Sequence, residues 1–187
     1  MSHPTNPALQ RLIALANQQL AGVIQVQPYD YASCYLWHDR PLYNDFGEQI
    51  QLLKGDTIYL YNQSTSPGTD LFHELGHFVG RTFNLIGHRD NGYTGSWQQA
   101  HAMLIAQVAE QRHWSDYLNA FARSQAEFRS NAASELWAEL FMLWHLYPTR
   151  AESRLLDDEM SSLEKEPACC AIRQLAQSLQ FEPTSES

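Results

Sequence analysis

Positive charge is what the chain has least of. Lys and Arg number 12 against 21 Asp and Glu, a formal net charge of −9. Nucleic-acid binding needs a basic surface to neutralise phosphates, and anionic lipid makes the same demand, so neither partner is expected. An acidic balance usually serves solubility alone, with a mild preference for basic substrates or partners. Long apolar runs are also missing: no stretch approaches the roughly 18 residues of a membrane span. Cysteine is scarce, with Cys34, Cys169 and Cys170 only. An odd count with one adjacent pair makes a poor disulfide framework, so free thiols and a reducing compartment are expected. The opening "MSHPTNPALQRLIALANQQLAG" has no basic region ahead of an apolar core, as a classical signal peptide would. The expectation is a cytoplasmic protein, or one exported without a cleaved signal. Internal repeats and linkers are absent too, which suggests one domain over 1–187 with a flexible tail at 181–187.

Core-forming residues are plentiful. The chain is 44% hydrophobic, with 5 Trp, 9 Tyr and 8 Phe. Such a composition can bury a core and excludes general disorder. Pro7 followed by Leu9, Leu12, Ile13, Ala16 and Leu20 predicts an amphipathic helix closing near Gly22. "VIQVQ" (23–27) reads as a strand stopped by Pro28, and 29–48 as loop. "QIQLLKGDTIYLY" (49–61) reads as a β-hairpin about a glycine turn. Thr69 is the expected cap of the next helix, with Asp70 at its positive end. A loop is expected at 84–96. Helices are then expected from Ser96 to about Gln111, Ser115 to about Phe128, and Asn131 to Tyr147, the last stopped by Pro148. "TRAE" (149–152) reads as a capping box, and Pro167 opens a final helix. Helix, a few strands, then helices only is an α+β order.

The chemistry is concentrated in "DLFHELGHFVG" (70–80). His73 and His77 are four apart and share one helix face, where two imidazoles can chelate one Zn²⁺. Glu74 sits one step round, placed to take a proton from an attacking water without ligating; this is the H-E-x-x-H arrangement. Gly76 removes a side chain where a neighbouring wall could approach. A catalytic zinc needs a third protein ligand. The longer pattern H-E-x-x-H-x-x-G-x-x-H is met at Gly80 but fails at Phe83. Four later histidines, His88, His101, His113 and His145, could serve. So could Glu135, which with Glu139 lies inside the apolar stretch "NAASELWAELFMLWHLYP". Carboxylates buried there need partners, whereas on a solvated stripe they would not. One could ligate zinc, and the other could accept the second N–H of a ligating histidine.

"HELGH" with a later "SELWAELF" resembles the gluzincins, zinc peptidases whose third ligand is a glutamate. "ELWAELFMLWH" (135–145) is more closely similar to the catalytic domain of anthrax lethal factor and its relatives. The resemblance covers about 57–150. It implies a zincin-like fold, with a small, mostly antiparallel sheet or hairpin packed on the site helix and a helical C-terminal half. It implies ligands His73, His77 and Glu135, general base Glu74 and supporting carboxylate Glu139. It also implies an edge strand that grips extended substrate, for which Thr57, Ile58, Tyr59, Leu60 and Tyr61 are the candidates. The family's oxyanion-stabilising tyrosine corresponds to Phe128, so Tyr93, Tyr117 and His88 are the candidate substitutes. The implied activity is zinc-dependent endopeptidase, a secreted toxin or effector. The alternatives are an intracellular regulatory peptidase that cleaves a repressor-like protein, and a zincin-like domain that binds without cleaving.

Overall fold

The computed structural model describes residues 6–83, 85 and 132–180. The expected loop at 84–96, the helices between Ser96 and Phe128, and the tail at 181–187 lie outside these residues. The architecture is α+β, with a small mixed sheet and five α-helices among the described residues.

Helix α1 spans Pro7–Gln19, and the Asn6 side chain accepts from Ala8 N at 2.9 Å to cap it. Leu9, Leu12 and Ala16 form its buried stripe. Gly22, at φ 77°, makes the turn after it. Strand β1, Gln25–Tyr29, passes through Pro28 instead of stopping before it. The reason is its place at the sheet edge. Asn17 closes that edge like a strand of its own: its Nδ2 donates to Val26 O and its Oδ1 accepts from Val26 N, both at 2.8 Å. Val26 therefore turns its polar groups outward, and by alternation Pro28 does too, where a missing N–H removes no ladder bond.

The stretch expected as loop holds two short strands, β2 (Cys34–Leu36) and β3 (Arg40–Tyr43). Their Asp, Asn and Pro neighbours punctuate the chain too closely for a strand pattern to show. β3 pairs antiparallel with β4, Gln49–Leu53, across a turn in which Gly47 has φ 78°. Asn44 Oδ1 holds this turn, accepting from Phe46 N at 3.0 Å and Glu48 N at 2.9 Å. The hairpin is thus 40–53, not 49–61.

"KGD" is a crossover between sheets. Gly55 backs against the His38 main chain, where a Cβ would stand 2.6 Å from His38 Cα. Asp56 is left-handed at φ 49°, and Lys54 N donates to Tyr59 Oη at 2.8 Å. Strand β5, Thr57–Tyr61, then enters the other sheet, ordered β1-β5-β2, parallel to β1 and antiparallel to β2. Thr57, Ile58, Tyr59 and Leu60 are buried. As the central strand, with both sides paired, β5 cannot be the edge that grips substrate; the assignment of Thr57 through Tyr61 to that role is corrected on this ground.

Helix α2 spans Pro67–Thr82. Its first helical bond runs from Asp70 N to Ser66 O at 3.1 Å, so Ser66 precedes it and Thr69 lies inside its first turn. Helix α3 is Ala132–Leu146, ending before Pro148 as expected. Thr149 does not cap the next helical segment. Ser153 Oγ donates back to Arg150 O at 2.7 Å, and a 3-10 turn forms over Ala151–Leu156 before α4, Asp157–Ser162. Helix α5 spans Pro167–Gln180.

The chain divides into two compact units, one up to Glu74 and again from Lys165, the other from Leu75 to Glu164. In the first, α1 packs on β1 and α5. In the second, α3 is buried almost all round from Leu136 to Leu143, which makes it a core helix. No helix among the described residues is long and apolar enough to cross a membrane. All three cysteines are free thiols.

Asn17→Ala removes both bonds to Val26 and leaves the edge unpaired. We expect a loss of about 1–3 kcal/mol, read as a lower urea midpoint with unchanged slope. An unchanged midpoint would show that solvent serves this edge equally well.

Candidate metal centre

The site is built on α2. Leu71, Phe72, Leu75 and Val79 are fully buried and fix the rotation of the helix, which leaves His73 and His77 half-buried on another face. The fourfold spacing sets them one turn apart.

In the second unit α3 meets α2 at Gly76. A Cβ there would stand 2.7 Å from Ala138 Cα and 3.1 Å from Phe141 Cβ. Only glycine permits this approach. The buried Trp137 Nε1 donates to Gly76 O at 2.7 Å and locks the crossing. With the helices this close, residues early in α3 reach the histidine face. Glu135 Oε1 lies 3.5 Å from His77 Nε2. On the other side of the ring, His77 Nδ1 is 3.0 Å from Ser134 Oγ. With the hydroxyl accepting, the Nδ1–H tautomer holds and Nε2 keeps its lone pair on the Glu135 side.

His73, His77 and Glu135 each offer one ligand atom, and these atoms lie within 4.8 Å of one another. The group can hold a metal ion. No family model, curated protein or solved structure matches the chain.

Glu74, the neighbour of His73, is buried at 7% exposure. Its Oε2 accepts from Tyr35 N in β2 at 2.7 Å. Its charge is felt at Cys34: burial first, then Glu74, pushes that thiol up to about 11. Glu139, one turn beyond Glu135, is also buried, at 3% exposure. With Glu135 half-buried, the pair is not a solvated stripe.

Ser134 faces His77 Nδ1, a contact that leaves untouched the part sequence reasoning gave Glu139, that of supporting a ligating histidine. The sequence did not mark Ser134 for this part, since a serine directly before a ligand candidate is an ordinary helix residue. His145 lies further along α3, its ring centroid 4.6 Å from that of Phe141 and 4.8 Å from that of Trp144. Tyr93, Tyr117 and His88 lie outside the described residues, as do Phe128, His101 and His113.

Gly76→Val should force the helices apart. Overpacking of this kind costs about 1–3 kcal/mol, while the gain in helix propensity is below about 0.5 kcal/mol. The variant should unfold at lower urea and weaken any metal binding by the His73, His77 and Glu135 group. Wild-type values in both assays would contradict a tight crossing at this residue.

Proposed function

We propose that the protein is a zinc-dependent endopeptidase of gluzincin type, with a zincin-like arrangement of sheet and site helix. The observation that carries the reading is the gathering of His73, His77 and Glu135, two imidazoles from one helix and a carboxylate from a later one. The donor set suits zinc. Two ligands each about 2.1 Å from a tetrahedral centre stand about 3.4 Å apart, and the His77 Nε2 to Glu135 Oε1 distance is 3.5 Å. Ser134 behind His77 supplies the outer support that zinc histidines ordinarily have.

His73, His77 and Glu135 would hold the ion, leaving a position open. When bound, zinc polarises a carbonyl and brings the pKa of a coordinated water toward neutrality. Glu74 takes a proton from the water as its oxygen bonds to the scissile carbonyl carbon. As the C–N bond breaks, Glu74 passes that proton to the leaving amine. Burial of Glu74 keeps competing solvent away. Glu139 is assigned to accepting the second N–H of a ligating histidine. The substrate is an extended peptide, and the chain's net charge of −9 favours a basic one. Its grip is not assigned to β5.

Glu74→Gln should retain zinc and fold while losing about 10²- to 10⁴-fold in turnover, measured on a mixed peptide library read by mass spectrometry. Equal cleavage by the variant would remove Glu74 from the reaction. A wild type that carries zinc and cleaves nothing would remove the peptidase reading itself.

A further inference from the structure

Of the sheet's two outer strands, β1 is closed by Asn17 and Pro28. The other, β2, is fastened to the first half of α2 through Tyr35, and the residue just ahead of it, Ser33, adds a second bond. Ser33 Oγ donates to Asp70 Oδ2 at 2.8 Å, and Tyr35 N donates to Glu74 Oε2 at 2.7 Å. Asp70 and Glu74, at i and i+4, face one side of the helix; Ser33, just ahead of the strand, meets it with its side chain, and Tyr35, within the strand, with its main-chain N–H. Ser33 Oγ also accepts from Tyr61 N at 3.0 Å, so the strand end is tied to β5 as well. β2 is thus held against both the sheet and the helix. Its central outward N–H is taken up by a carboxylate instead of being offered to an incoming strand.

We infer that the main-chain N–H of Tyr35 is the positioning group for Glu74, holding one carboxylate oxygen so that proton transfer falls to the other. This deepens the peptidase reading and rests on it. A buried glutamate on a helix has several rotamers, and only some aim at the reacting water. A fixed amide donor selects among them in advance. Preorganisation of this kind acts on the chemical step and leaves binding alone. Ser33 and Asp70 hold the strand so that the donor stays in place. No side chain at 35 is required, which is why sequence patterning does not reveal the residue.

The test compares Tyr35→Pro with Tyr35→Ala. Both lose the ring, but only proline loses the N–H. Proline fits an outer strand where its nitrogen faces away from the ladder, as Tyr35 N does here. Relative to Tyr35→Ala, Tyr35→Pro should lower kcat by about 10- to 100-fold, with KM and zinc content unchanged. A rise in KM at constant kcat would make Tyr35 N–H a substrate contact and overturn the inference. So would equal kinetics of the two variants.

If the proline variant fails to fold, amide hydrogen exchange decides. The Tyr35 amide should exchange at least about tenfold faster in Glu74→Ala than in wild type, while the central-strand Ile58 amide keeps its rate. Equal protection of Tyr35 in both proteins would overturn the inference. The exchange experiment needs no turnover. An inactive wild type with Glu74-dependent protection would therefore sink the peptidase reading while leaving the Tyr35–Glu74 contact standing.

Discussion

The close crossing of α2 and α3 at Gly76 is the constraint on which the site depends. Two helices meet at the separation their contact side chains allow. Here the contact is a bare glycine Cα against Ala138, with the Trp137 indole bonded to Gly76 O. This closeness lets a short carboxylate on α3 stand beside an imidazole on α2. The burial of Trp137, Phe141 and their neighbours supplies the apolar area that drives the pairing. It also explains how Glu139 can sit among them at 3% exposure, since the helix is committed to the core by the residues on either side of it.

The first unit does a different job for the same helix. Ser33, just ahead of β2, and Tyr35 within it reach Asp70 and Glu74, so the N-terminal half of α2 is ordered by this segment. The two sheet edges satisfy their outward groups in the same way, with side chains. At β1 an asparagine side chain takes the outward groups of Val26, and at β2 a glutamate takes the outward N–H of Tyr35. Each outward group would otherwise need solvent or another chain. At β2 the same pairing serves the proposed proton carrier.

The helices were legible because their signals are local. Pro7 and Pro167 open helices at the positions the sequence suggests, and the apolar stripe of α2 is visible in its spacing. His73 and His77 could be paired from the fourfold spacing alone, and Glu135 stood out as a carboxylate in an apolar helix. Strand pairing was not legible, because register is decided by partners far along the chain. "TIYLY" looks like the second arm of a hairpin, yet its neighbours are Gln25–Tyr29 and Cys34–Leu36. Gly55 marks a crossover, packed against His38, where a simple turn was expected. Ser134 and the Tyr35 amide were invisible for another reason: a serine is common before any helix residue, and a main-chain N–H has no letter.

The measurement that tests the account most directly is zinc titration of the wild type and of Glu135→Gln, in competition with a chromophoric chelator. The wild type should take up one equivalent. Glu135→Gln should lose most of that affinity, because the amide is a poor replacement for a charged oxygen ligand. Equal, tight, one-equivalent binding by both proteins would contradict the His73, His77 and Glu135 centre.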